Sequence, residues 1–166
     1  MGAIWNLLSL VKSAKQAVGA MQQIPGHAAR CHRAVDQFQN TLVQKDYERA
    51  RAGNLQAQFE MGERFFQGLG VAKDYAQAAA WFLEAANQGH AGAQNIMAMM
   101  YFLGRGVAAD PAEAYKWAVL ASASGETDAL NTRREIAAKI SAEAKAEGEQ
   151  RAIRLTAPAA DPHRRH

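Results

Sequence analysis

Gly53-Asn-Leu-Gln-Ala-Gln-Phe-Glu-Met61-Gly-Glu-Arg-Phe-Phe-Gln-Gly68-Leu-Gly70-Val-Ala-Lys-Asp74-Tyr-Ala-Gln-Ala-Ala-Ala-Trp81-Phe-Leu-Glu-Ala85-Ala-Asn-Gln88 decides the fold, because the chain then says it again. Gly89-His-Ala-Gly-Ala-Gln-Asn-Ile-Met97-Ala-Met-Met-Tyr-Phe-Leu-Gly104-Arg-Gly106-Val-Ala-Ala-Asp110-Pro-Ala-Glu-Ala-Tyr-Lys-Trp117-Ala-Val-Leu-Ala121-Ser-Ala-Ser124 follows directly. Slid by about 36 residues, the two stretches agree at about 14 positions, against about 3 expected by chance, which marks a true internal repeat. A period of this size means helical units stacked in one dimension. A third, degenerate copy begins at Gly125.

Each copy reads as two helices. In the first, helix A spans about residues 54–67, with Ala57, Met61 and Phe65 on its core face. Gly68 ends it, because glycine enters the left-handed backbone region without a Cβ penalty. Asp74 caps helix B, with Gln77 three residues on as a capping-box partner, and Ala78, Trp81, Phe82 and Ala85 face inward. The second copy uses Asp110 as the cap, Pro111 at the first helical position, and Glu113 as the capping-box partner. Gly-x-Gly here follows a helix and recurs in register, so it is a turn and not a phosphate loop.

The remaining chain divides around this core. Residues 1–52 read as an N-terminal helical hairpin: a helix over 4–22 with Ile4, Leu7, Val11, Ala14, Val18 and Met21 on one face, a stop at Ile24-Pro25-Gly26, and a second helix over 27–52. The hairpin caps the stack, with dimerisation or contact with a membrane surface as the alternatives. Residues 53–88 and 89–124 are the two repeats. Residues 125–155 form the degenerate unit and a solvated capping helix that opens at Ser141. Residues 156–166 lack periodicity, carry two prolines, and are expected to be disordered.

Composition narrows the function classes. A net charge of +3 over 166 residues is too mild and too mixed for nucleic-acid binding. The single cysteine, Cys31, allows no internal disulfide and fits a reducing, cytoplasmic setting better than a periplasmic one. The N-terminal stretch has no preceding Lys or Arg and no clean cleavage site, so it does not read as a signal peptide. His27 and Cys31 lie four apart but have no second pair of ligands nearby, so no metal is expected, nor any cofactor. No serine sits in a nucleophile elbow, and Asp74 and Asp110 are accounted for as caps, so no catalytic residue is expected.

Ala-Gln-x-x-Met-Gly…Gly-x-Gly-Val-x-x-Asp…Ala-x-x-Trp…Ala-Ala-x-x-Gly, read from Ala57 to Gly89 and again with two departures from Ala93 to Gly125, resembles the Sel-one-like repeat (SLR) family, relatives of the tetratricopeptide repeat. The resemblance implies an all-α solenoid, a right-handed superhelix of helix pairs that binds a protein or peptide on its concave helix-A face. Some members are cysteine-rich secreted proteins; this chain has no cysteine pair.

The copies differ at one informative place. Positions 60, 63 and 64 are Glu60, Glu63 and Arg64 in the first helix A, but Ile96, Met99 and Met100 in the second. The second helix A is therefore apolar nearly all round, which demands either burial on every side or an exposed patch. A Met-rich patch suits an apolar partner segment, because the thioether repacks readily. The candidate partner-binding residues are Gln56, Glu60, Glu63, Arg64, Ile96, Met99, Met100 and Leu103. The expected function is a non-catalytic adaptor, scaffold or regulator. The alternatives are an immunity-type inhibitor of a toxin or enzyme, a membrane-surface protein held by residues 4–21, and self-association through the N-terminal hairpin.

Overall fold

In a computed structural model of the chain, the described residues are 41–156 together with Ser13, and every regular element among residues 41–156 is an α-helix. The helices are α1 (41–51), α2 (Leu55–Gln67), α3 (Tyr75–Asn87), α4 (Ala91–Leu103), α5 (Pro111–Ser122), α6 (Thr127–Lys139) and α7 (Ala142–Thr156). The N-terminal helix expected over 4–22, the His27/Cys31 pair and the tail beyond Thr156 lie outside the described residues. The chain divides into two units, residues 1–73 and 74–166, so helix A of the first repeat (α2) belongs to one unit and helix B (α3) to the other.

Within the first unit, α1 falls inside the helix expected over 27–52, and its place in the repeat is what the sequence did not announce. Gln58 Nε2 donates to the carbonyl of Ala50, 3.3 Å away in the last turn of α1. In the second unit Gln94 Nε2 donates to the carbonyl of Ala86, 3.1 Å away in the last turn of α3. Donor and acceptor have both moved by one repeat length. The connecting backbone repeats too: Asn54 N–H donates to the Arg49 carbonyl at 3.1 Å, and His90 N–H to the Ala85 carbonyl at 3.0 Å. Residues 41–51 thus stand to α2 as the helix B of a preceding repeat, where the sequence suggested only a hairpin outside the repeats.

The helix starts are periodic in the same way. Asn54 caps α2, its side chain accepting from Ala57 N–H at 2.9 Å. His90 caps α4, Nδ1 accepting from Ala93 N–H at 3.1 Å. Glu126 holds the third such position and makes no side-chain cap. The expected caps of the B helices are present: Asp74 Oδ1 accepts from Ala76 and Gln77 N–H, and Asp110 Oδ1 from Ala112 and Glu113 N–H. Glu113 does not close a capping box, because its carboxylate is taken by Arg151 and Lys116.

In the second unit, α3 packs on α4, α4 on α5, and α5 on α6. Small side chains make the approach close: Ala78, Ala79, Ala85, Ala86, Ala93, Ala98, Ala114, Ala118 and Ala121 are all buried, around Phe82, Met97, Met100 and Trp117. The expected core residue Phe65 of the first unit is only half-buried, while Ala57 and Met61 are buried as expected.

The third copy breaks the pattern for identifiable reasons. Met61 and Met97, both fully buried, are followed one repeat later by Arg133. Its guanidinium lies 3.3 Å from Ser122 Oγ and over the Tyr115 ring. Where the first two copies turn through seven residues with two glycines, α6 and α7 are joined by Ile140 and Ser141 alone. Ser141 caps α7 as expected, through Ala144 N–H at 3.2 Å. So short a link does not fold α7 back along α6. It makes at most marginal contact there and packs instead on α5.

Gly106 has φ +76°, and a Cβ built on it would lie 2.1 Å from the Tyr75 carbonyl oxygen. The loop must therefore touch the start of α3, and Arg105 completes the contact by lying over the Tyr75 ring at 5.2 Å. Gly89 has φ +91° but open space around it. Gly89→Ala should cost about 1–2 kcal/mol of backbone strain. Gly106→Ala should cost more than about 3 kcal/mol, because it adds a backbone clash to the same strain. Urea unfolding of the two variants measures the difference.

Candidate functional site

The eight residues singled out from the sequence divide evenly between the two units. In the first, Gln56 is exposed and donates to Glu60 Oε1 at 3.1 Å, while Glu60 and Glu63 are half-buried on the same helix face. Burial, and then the neighbouring Glu60 carboxylate, push the Glu63 carboxyl above the usual range. This face is polar and acidic.

Arg64 does not belong with that face. It is 5% exposed, its Nη2 lies 2.6 Å from Asp46 Oδ2 of α1, and its Nη1 reaches the Leu69 carbonyl at 3.4 Å. Its charge is spent inside the unit, joining α2 to α1 and to the loop that follows. One repeat further, the same two positions are Phe82 and Met100, and one further still Ala118 and Ile136; all four are buried. A single interior place in the repeat is thus filled by an ion pair, by a large apolar pair, and by a smaller apolar pair. Met100, proposed as a surface residue, is interior for this reason.

In the second unit, α4 turns Ala93, Met97 and Met100 inward. Ile96 and Met99 are half-buried, and Leu103 is 53% exposed. These three lie at i, i+3 and i+7, which places them along one side of the helix. The structure therefore separates the Met-rich run into a buried half and an outward apolar strip, Ile96–Met99–Leu103. The equivalent positions in α2 are Glu60, Glu63 and Gln67. The same helix face carries acid in one repeat and hydrocarbon in the next.

A second charged centre was not foreseen. Arg151 of α7 places Nη1 3.0 Å from Asp110 Oδ2 and 2.9 Å from Glu113 Oε1, and Nη2 against Glu147. Partial burial works against ionising Asp110. The amides of Glu113 and Ala112 and the Arg151 guanidinium outweigh it and hold the carboxyl below the usual range. Arginine at one position of a solvated-looking helix gives no sequence signal for partners 38 and 41 residues upstream. Among the described residues, no group of three or more His, Cys, Asp or Glu could hold a metal, and no helix is long and apolar enough to cross a membrane.

The Sel1 repeat, as a protein family, matches residues 55–90 and 91–126. Among solved structures, a protective antigen present in uropathogenic Escherichia coli strains, displaying an SLR fold, aligns with 85% of this chain at 27% identity and a TM-score of 0.65. A Sel1 repeat protein from Oxalobacter formigenes aligns with 50% of the chain at 38% identity and a TM-score of 0.49. The chain spans 32% of the length of the first and 63% of the second. No curated protein matches the sequence. The fold is thereby that of an all-α SLR solenoid.

Two predictions follow from these placements. Arg64→Ala should destabilise the protein by about 3 kcal/mol, since Asp46 loses its closer, buried partner and keeps only the half-exposed Arg49, 3.6 Å away. Arg64→Met with Asp46→Leu, which imitates the apolar filling of the next repeat, should recover most of that loss in thermal unfolding. The His90 cap requires a neutral ring, because Nδ1 must accept. Burial lowers the pKa below its ordinary 6.5. The unfolded chain then takes up the proton more readily than the folded one. Stability is complete above about pH 6.5 and falls as the pH drops below it. His90→Asn, which borrows the cap of the preceding repeat, should flatten this dependence in unfolding curves recorded between pH 7.5 and 5.5, with a cap worth about 1 kcal/mol at stake.

Proposed function

From a chain whose residues 55–126 are two tandem Sel1 repeats, we propose a non-catalytic protein-binding module, an adaptor or regulator that receives a partner segment on the helix-A face. Sel1-repeat proteins are in general protein–protein interaction modules and typically not enzymes. The observation that carries the finer reading is the outward strip Ile96–Met99–Leu103 on α4. An exposed Leu beside half-buried Ile and Met, on a helix whose other side already fills the core, serves folding little. It offers hydrocarbon to something else. Side chains at i, i+3 and i+7 match the spacing at which an amphipathic helix presents its own anchors. Methionine adapts to the shape it meets, so one strip accepts related segments.

The acidic face of α2 in the first unit, with Gln56, Glu60 and Glu63, is a polar surface by itself and suits a segment that carries basic residues. An inhibitor or immunity-type protein would be a narrower version of the same reading, with a cognate toxin or enzyme as its partner.

Leu103→Glu should leave the melting temperature within a few degrees of wild type, because the side chain is half in water already. Met100→Glu should unfold the second unit, because it buries an unpaired carboxylate. Affinity capture from source lysate by wild type, Leu103→Glu and the still-folded Ile96→Ala tests the function. A stoichiometric partner retained by wild type and lost by both folded variants supports the strip as the binding face. Equal retention by all three removes it.

A further inference from the structure

The C-terminal helix is attached unusually. α7 follows α6 after two residues, yet it packs on α5 and not on its covalent neighbour. Its buried residues are Gly148 and Ala152 only, the smallest side chains it has. Its large apolar residues point away: Ile153 is 66% exposed and Leu155 48%. The hydrophobic effect, proportional to apolar area removed from water, therefore holds α7 weakly.

Two other features hold it. Gly148 lets the two backbones meet, since a Cβ there would lie 2.7 Å from the Ala112 carbonyl oxygen and 3.1 Å from Lys116 N. Arg151 reaches Asp110 and Glu113 of α5 at 3.0 and 2.9 Å. That cluster is part-exposed, and exposed ion pairs contribute little and are screened by salt. Beneath α7 lie Ala112, Tyr115 and Lys116, the first two buried and the third with its ammonium drawn to Glu113 and over the Trp117 ring at 4.2 Å. At the equivalent positions of α3, Ala76 and Ala80 are exposed and Ala79 is buried.

We propose that α7 is a releasable strap. It lifts from α5 as a unit, hinged at Ile140–Ser141, while α3 to α6 stay folded, and its release uncovers the Ala112–Tyr115–Lys116 face. The hinge is short and the link to α6 is marginal, and the contact that must break with α5 joins one guanidinium cluster to a face on which α7 itself buries only Gly148 and Ala152. This makes the stack's outer face conditional: closed at low ionic strength, open where salt or a competing anion takes Arg151. A strap of this kind belongs to the low-stability end of a fold, where sub-global openings occur.

Hydrogen exchange read by mass spectrometry on the full chain tests it, with amine labelling of Lys116 beside it. In wild type, amides of 142–156 should exchange at least about 10-fold faster than those of 111–122. Arg151→Ala, or added salt, should accelerate 142–156 by roughly another 10-fold and raise Lys116 labelling, leaving 75–103 and the melting temperature unchanged. Arg151→Lys, which keeps the charge without the fork, should fall between. Gly148→Leu provides a second route, forcing the strap off by bulk and raising Lys116 labelling with the core intact. The proposal is overturned if 142–156 exchanges only with α5. It is equally overturned if Arg151→Ala and Gly148→Leu lower the melting temperature of the whole protein without a separate opening of α7.

Discussion

Helix A of each repeat must come close enough to the end of the preceding helix for a glutamine amide to reach that helix's last-turn carbonyls. Gln58 to Ala50 and Gln94 to Ala86 are the two instances, and the other repeated features follow from them. The acceptor is a helix-terminal carbonyl that has no partner within its own helix and that accepts as well from the glycine N–H of the bend, Gly53 or Gly89, at 3.0 Å. Reaching it requires a small residue at the helix end, which is why Ala50 and Ala86 are buried there, and a glycine at the bend, which Gly53 and Gly89 supply with positive φ. With this spacing fixed, the interior leaves room for alanine along most of the contact and for a few large side chains, such as Phe82 in α3, Met97 and Met100 in α4, and Tyr115 and Trp117 in α5.

Where the glutamine is absent the stack ends. One repeat past Gln94 stands Leu130, and the buried methionine has become Arg133. The loop that would bring a helix B back along α6 is reduced to two residues. None of these changes unfolds α6, which still buries Ala129 and Ile136. Together they remove the means of adding another repeat in register, and α7 is diverted onto α5. The end of the array is thus written as the loss of three specific devices, and not as a polar rewriting of the whole unit.

Much of this was legible in the sequence where the signal is local. The period, the Gly-x-Gly turns and the Asp74 and Asp110 caps all rest on residues within a few positions of each other, and they appear as read. What was missed depends on contacts across many residues. The register of 41–51 is invisible because its acceptor is a backbone carbonyl, which no side-chain pattern marks. Arg64 looked like a surface residue because it is charged; only Asp46, 18 residues upstream, reveals that it faces inward. The Met-rich helix was correctly seen as apolar all round, but the division between buried Met100 and outward Leu103 needed the neighbours of α4 to be known. Arg151 gave no signal at all, because its partners lie in another repeat.

The interior place occupied by Asp46 and Arg64, then by Phe82 and Met100, then by Ala118 and Ile136, has a consequence for how such a chain finds its own arrangement. Near-identical repeats invite misassembly, in which a helix docks one unit out of place and satisfies nearly every contact. Here a slip by one unit would set Arg64 against a phenylalanine, or Asp46 against a methionine, and leave a buried charge with no counter-ion. Three chemically distinct fillings of one geometric position therefore act as an ordering code. They raise the free energy of shifted pairings while costing the correct one little, and they let a repetitive sequence specify a single sequence of neighbours.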